Sequence, residues 1–220
     1  MITTLIEREA EPILISDLTW REFKAVEQLI DRPGLRLSFL DGVLEIRKMP
    51  GKKHETIKKR IAYLVEIYLE FLDLDFTPTG SVTLENEFEK VKEEGDESYE
   101  LGANRKHPDL VIEVVVSSRG INKLEAYKRL QIPEVWFWMN DKLLFYSLGN
   151  DGYEAVSKSQ LLPNLDVDLL MGCINIENHA QALREFRAQL KQPARQEPFE
   201  YFPKYPNFIY LVNARKTLKM

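Results

Sequence analysis

"HPDLVIEVVVSSRGINKLEAYKRL", from His107 to Leu130, is the stretch whose reading decides the fold. Its first half predicts a buried strand from Asp109 to Val116, with the apolar run Leu110, Val111, Ile112, Val114, Val115 and Val116. A carboxylate, Glu113, interrupts that run. Burying an unpaired carboxylate costs several kcal/mol, so Glu113 requires a partner: an arginine, a lysine or a metal ion. Strand geometry puts Asp109, Val111 and Val115 on the same face as Glu113. Asp109 lies about 13 Å along the strand and is too far away to share an ion with it. Its place after Pro108 suits an anchor at the start of the strand. Closer acids have to come from other elements. Asp96, in the segment GDESYEL, qualifies if that segment pairs with the strand through a turn at Gly102–Lys106. Glu55, near the start of a long basic helix, is a second option. After the strand, SSRG makes a turn and Lys123 opens a short helix, NKLEAYKRLQI, which Pro133 stops. A helix that folds back over the strand's C-terminal end brings Lys123 toward Glu113. An ion pair of Glu113 with Lys123 or Arg119 remains the structural alternative to a metal site.

Working outward, the chain alternates helices and strands. SDLTWREFKAVEQLI has Ser16 and Asp17 as N-cap residues and apolar residues at helical spacing. LRLSFLDGVLEIRKMP reads as a hairpin, Arg36–Leu40 and Val43–Lys48 around an Asp41-Gly42 turn. HETIKKRIAYLVEIYLEFLDL is the clearest helix, with Ile57, Ile61, Leu64, Val65, Tyr68, Leu69 and Leu72 in one stripe. SVTLEN, EVWFWM, KLLFYSLG and GYEAVSKSQ read as strands, the last two joined by a turn at Asn150-Asp151-Gly152. LPNLDVDLL reads as an irregular apolar segment, and ENHAQALREFRAQL as a final helix. Trp136 and Trp138 share a strand face, to be packed in the core or at a subunit contact, which leaves a homodimer open. The order predicts one mixed α/β (α+β) domain. Residues 1–15 read as an N-terminal extension, 16–190 as the domain, and 191–220 as a Pro- and aromatic-rich C-terminal tail.

Of the 220 residues, 44% are hydrophobic and 30% charged, which predicts a folded core. The single cysteine, Cys173, allows no internal disulfide and fits a reducing cytoplasm; it reads as a core residue. The N-terminus lacks the basic and apolar regions of a signal peptide, and no run is long enough for a membrane span. A net charge of -5 argues against a protein that coats nucleic acid permanently. The charge is uneven. Seven basic residues against one acid occupy Arg47 to Arg60, and Glu85 to Glu100 is strongly acidic. Each stretch reads equally well as a solvated face. His54, His107 and His179 show no metal-ligand spacing.

Two or three carboxylates with one lysine form a constellation with defined chemistry. Carboxylates hold Mg²⁺ through oxygen, the ion polarises a phosphate, and the lysine orients water and offsets developing charge. The ordered series DGVLEIRKMPGKKHETIKKRI, GDESYEL, PDLVIEVVVSS, KLEAYKRLQIPEVWFW and LLPNLDVDL, over about residues 16 to 190, resembles the Uma-two family of restriction-endonuclease-like bacterial proteins. That family is similar to the PD-(D/E)XK nucleases. The resemblance implies a restriction-endonuclease-like core, a central mixed sheet flanked by helices, and a Mg²⁺- (or Mn²⁺-) dependent DNA endonuclease in the cytoplasm. Matched residue by residue, Asp96 stands for the first aspartate, with Gly95 in place of the usual proline. Glu113 stands for the acid of the E-x-K motif. Val115 occupies the lysine position, and Lys123 of KLEAY stands for a lysine moved to the following helix. Glu55 stands for the acid on the long helix. Asp96 and Glu113 would hold the metal, Lys123 would position the attacking water, and Glu55 would support the ion or its waters. Lys52, Lys53, Lys59 and Arg60 would face the DNA backbone. The alternative is an inactive relative of the same fold that binds nucleic acid or a protein. The missing lysine at position 115 and the short link before Lys123 keep it open.

Overall fold

The computed structural model of the chain describes residues 11–30, 32–102, 105, 107–115 and 120–191. Two sheets and five helices make up these residues. The first sheet is built on the expected hairpin, β2 (Leu35–Leu40) and β3 (Val43–Lys48). Asp41 and Gly42 both have positive φ, +48° and +91°. That is the backbone a tight two-residue hairpin turn requires. The alternation of β2 gives its two faces different tasks. Leu37 and Phe39 pack with Phe23 of α1 (Trp20–Ile30), and the Phe23 and Phe39 rings stack at 4.5 Å. Arg36 and Ser38 point to the other side, opposite Arg47 and Glu45 of β3.

The strand β1 (Ile13–Ile15) pairs with β3 at one edge, and β5 (Thr83–Asn86) and β6 (Val91–Glu94) complete the five-stranded sheet. Two residues after β6 the chain enters a second sheet as β7 (Glu97–Leu101). The second sheet has six strands: β7 beside β4 (Phe76–Pro78) and β8 (Leu110–Val115), then β9 (Glu134–Met139), β10 (Lys142–Leu148) and β11 (Tyr153–Val156). It is a mixed sheet, because β8 and β9 run parallel and the other pairs antiparallel. GDESYEL does pair with the Glu113 strand: Glu97 lies opposite Ile112 and Tyr99 opposite Leu110. Residues 103, 104 and 106 of the connecting turn lie outside the described residues.

Helix α2 (Lys52–Phe71) lies against one face of the second sheet with α4 (Val167–Ile174) and α5 (His179–Leu190). The α2 stripe Ile61, Leu64, Val65, Tyr68 and Leu69 meets Leu110, Ile112 and Val114 of β8 there. The reading of LPNLDVDLL as irregular is corrected: its second half is the start of α4. Asp166 caps that helix, accepting a 2.8 Å bond from the Leu169 amide. Trp136 and Trp138 are buried in this core, not set out for a subunit contact, and Cys173 is buried with them. On the opposite face, α3 (Lys123–Arg129) forms the crossover between the parallel strands β8 and β9. Its Tyr127 packs on Val111 and Val135 of the second sheet, while Ala126 meets Leu40 and Val91 of the first. Helix α3 therefore bridges the two sheets over the point where the chain passes between them. Among the described residues no helix is long and apolar enough to cross a membrane.

Candidate active site

The crossing point is Gly95-Asp96. A Cβ on Gly95 would stand 2.9 Å from a Val111 methyl and 3.5 Å from the Tyr127 hydroxyl. Glycine is therefore needed for the close approach of the strand to β8 and α3. The next residue, Asp96, is buried with three donors around its carboxylate. Arg36 Nη1 reaches Oδ1 at 2.7 Å. His54 Nε2 lies 3.0 Å from Oδ2, and the Val114 amide donates to Oδ2 at 2.8 Å. Burial acts to raise the Asp96 pKa, but the hydrogen bond and charge of His54, then the charges of Lys123 and Arg36, outweigh it and hold the group well below the usual carboxylate range.

Val114 is the neighbour of Glu113, so the same contact sets the two acids side by side. Glu113 is 2% exposed. Its Oε1 accepts from Lys123 Nζ at 2.9 Å and from the Tyr127 hydroxyl. Lys123 and Tyr127 are one helical turn apart on α3 and present both donors from one face. A lysine in the first turn of a helix is disfavoured by the helix dipole. Lys123 stands there because its ammonium reaches two carboxylates, Glu113 and, at 3.3 Å, Glu93 Oε1. Burial works against its charge, but Glu113, Glu93 and Asp96 overcome that and raise its pKa. Burial also pushes Glu113 up, to about 7; the charge of Lys123 pulls it down, and those of Asp96 and Glu93 push it up.

Glu93, His54, Arg36 and Tyr127 belong to this cluster and were not singled out as its members by the sequence reading. Glu93 belongs to the acidic run that reads equally well as a solvated face; it is 1% exposed, beneath α3. Glu45 lies in the same region, bonded to Arg47 and accepting from the Ile121 amide at 2.7 Å, so it pins the loop that leads into α3. Glu55 stands at the margin. Its side chain is 40% exposed, paired with Lys58 at 2.9 Å, and 3.4 Å from the His54 ring nitrogen that faces away from Asp96. It reaches the centre only through His54. Asp109 is an anchor: its carboxylate accepts from the Leu101 amide at 2.8 Å and from Arg105. Of the expected backbone-contacting residues, Lys52, Lys53 and Lys59 are exposed on α2. Arg60 is a correction. It is buried, and its guanidinium donates to the carbonyls of Ile174 and Glu177 at 2.7 and 2.8 Å, tying α2 to the end of α4. Arg119 lies outside the described residues.

The donor set suits a hard cation. Among the described residues four buried carboxylates, Glu45, Glu93, Asp96 and Glu113, face three permanent cations, Arg36, Arg47 and Lys123. Two carboxylate oxygens, Glu93 Oε2 within the cluster and Glu55 Oε1 at its margin, are buried without a hydrogen-bond partner among the described residues. No three His, Cys, Asp or Glu side chains among the described residues are gathered so as to enclose an ion by themselves. Mg²⁺ does not need them to be: one or two carboxylates commonly hold it, with waters and substrate phosphates completing its shell. Asp96 and Glu113 are the two carboxylates of the cluster that could serve in this way.

The sequence profile of the Uma2 family, described as "Putative restriction endonuclease", matches residues 20–176. The chain belongs to the Uma2 family. The match takes in the hairpin, α2, α3, the second sheet and all of the first sheet but its edge strand β1, so every residue of the cluster falls inside it. The mixed α+β architecture is consistent with a restriction-endonuclease-like fold, and Uma2 membership supports a nuclease-like role. A comparison with curated proteins returned no match.

Proposed function

We propose that this Uma2 chain is a Mg²⁺- (or Mn²⁺-) dependent endonuclease that hydrolyses phosphodiester bonds of DNA. One observation carries the reading. Lys123, from the first turn of α3, donates at 2.9 Å to Glu113 in the middle of β8, while Asp96 at the sheet crossing accepts from the amide of the very next residue. Three separate elements thus deliver two carboxylates and a lysine to one place. A divalent ion held by Asp96 and Glu113 would supply Lewis-acid polarisation of a phosphoryl oxygen.

The protein groups take the remaining tasks. Asp96, held ionised by His54 and Arg36, is the constant anionic ligand. Lys123 keeps its proton, so it serves as a donor and a compact positive charge rather than as a base. In that role it orients the attacking water and offsets charge that develops on the phosphate. Glu55 would act through His54 on the orientation of Asp96. Lys52, Lys53 and Lys59 would meet the phosphate backbone, which sets affinity but carries no sequence choice. The test is nicking of supercoiled plasmid with Mg²⁺ or Mn²⁺. The wild-type chain is expected to nick it, and Asp96→Asn and Glu113→Gln to lose at least a hundredfold in rate. Equal nicking by the variants would count against the assignment.

A further inference from the structure

We propose that His54 is a positioning residue for Asp96: with the Val114 amide it occupies Oδ2, so that Oδ1 is the oxygen through which Asp96 holds a divalent ion, and Glu55 holds His54 in place. The inference rests on the metal-dependent reading above and adds to it the residue that aims its aspartate. An ionised carboxylate offers about four lone-pair sites, two on each oxygen. Among the described residues three donors reach Asp96. His54 Nε2 lies 3.0 Å from Oδ2, and the Val114 amide 2.8 Å from the same atom. Arg36 Nη1 alone reaches Oδ1, at 2.7 Å. Oδ2 is therefore fully used, and the one site left is on Oδ1.

The three donors are not equivalent. The Val114 donor is backbone and comes with β8. Arg36 sits on the oxygen that would meet the ion, where its charge opposes a cation. His54 steadies Asp96 from the other oxygen. It is buried in the first turn of α2. Asp96 is held ionised and only accepts, so His54 Nε2 carries the proton of this bond. The other ring nitrogen, Nδ1, lies 3.4 Å from Glu55 Oε1, and Glu55 is in turn paired with Lys58 at 2.9 Å. A group facing the second nitrogen of a histidine sets its tautomer and the direction of its ring. One imidazole thus links the partly exposed Glu55 to the buried Asp96. An apolar side chain would fill the same space. A ring with a carboxylate at each nitrogen points to orientation rather than packing.

Calorimetry of the full chain with Mn²⁺ alone, without DNA, tests this, with a melting curve of each protein in the absence of metal. His54→Leu removes the donor and should bind Mn²⁺ about 10–100-fold more weakly. His54→Gln keeps an N–H donor at a similar reach to Nε2 and should recover most of that affinity. A His54→Gln as weak as His54→Leu refutes the positioning role. Glu55→Gln should weaken binding on its own and add nothing to His54→Leu. An equal further loss in the double variant would show Glu55 acting apart from His54 and overturn the link between them. A folded His54→Leu that binds like wild type, beside an Asp96→Asn that does not bind, overturns the role of His54 and leaves the metal reading standing. No binding by the wild-type chain overturns both. If His54→Leu does not fold, His54→Asn, whose amide falls short of Asp96, decides: weaker binding than His54→Gln supports the role, and equal binding refutes it.

Discussion

Replacing Glu113 by glutamine should stabilise the protein at pH 8 and leave it nearly unchanged at pH 5. Glu113 is fully enclosed, and burial pushes its pKa from the ordinary 4.5 to about 7. The folded protein therefore holds this proton more tightly than the unfolded chain does. The stability that comes with the proton is complete below pH 4.5 and is lost as the pH rises through about 7. At about 1.36 kcal/mol per unit, the full loss is about 3 kcal/mol. Glutamine titrates over no part of this range. At pH 5 it mimics the protonated acid, and at pH 8 it escapes the cost of a buried charge. For a domain of this size about 1 kcal/mol moves the midpoint by roughly 2–4 °C; at pH 5 the unfolded glutamate is already mostly ionised, so about 2.5 kcal/mol of the change falls between pH 5 and 8 and the variant should gain about 5–10 °C on wild type between them. Metal-free thermal denaturation followed by circular dichroism at pH 5, 6, 7 and 8 measures it. A constant difference across the series would refute the buried-charge account. A variant that becomes the less stable protein at pH 8 would do the same, and would make the Lys123 ion pair a net structural support.

Three further outcomes follow from particular contacts. Gly95→Ala places a Cβ 2.9 Å from Val111 at the sheet crossing, and urea denaturation should show a loss of about 1–3 kcal/mol. Arg60→Ala leaves the carbonyls of Ile174 and Glu177 without their donor, so it should cost roughly 1–3 kcal/mol of stability; once corrected for folding, its DNA affinity should be that of wild type, and a selective loss of DNA binding would restore Arg60 to the interface. Changing Lys52, Lys53 and Lys59 together to glutamate should weaken binding to all DNA sequences alike and flatten its salt dependence, measured by fluorescence anisotropy across salt concentrations; an unchanged affinity would make this face a solvated one.

The parts of the fold that were legible in the sequence are those whose signal is local. Asp41-Gly42 between alternating strands announced the hairpin, and the stripe from Ile57 to Leu72 announced α2. The apolar run around Glu113 announced β8, and Lys123 after a short turn announced the crossover helix. The division into two sheets was not legible. Val91 to Leu101 reads as one acidic stretch, and its only mark of a change of partner is Gly95, whose need appears only once Val111 and Tyr127 are packed against it. The start of α4 was hidden because Pro163 and a dense apolar segment mask its capping residue, Asp166. Within the site, Asp96, Glu113 and Lys123 were nameable because a charge in an apolar strand demands partners. Glu93 was not, since a glutamate in VKEE looks solvated until α3 covers it. Arg36 and Ser38 left a trace that pattern alone supports: they alternate with Leu37 and Phe39, so one face of β2 had to be polar. Tyr127 left another, one turn after Lys123 on the same side of α3. His54 sits in the first turn of α2, and only the tertiary fold puts it on Asp96.

The central claim is that a lysine delivered from α3 serves the acids of β8 and the sheet crossing. Single-turnover cleavage of a labelled DNA duplex by Lys123→Ala, at a Mn²⁺ concentration shown by calorimetry to saturate that variant, tests it most directly. The account predicts that the variant binds Mn²⁺ and cleaves at least a hundredfold more slowly than wild type. A metal-loaded Lys123→Ala that cleaves at the wild-type rate would contradict it.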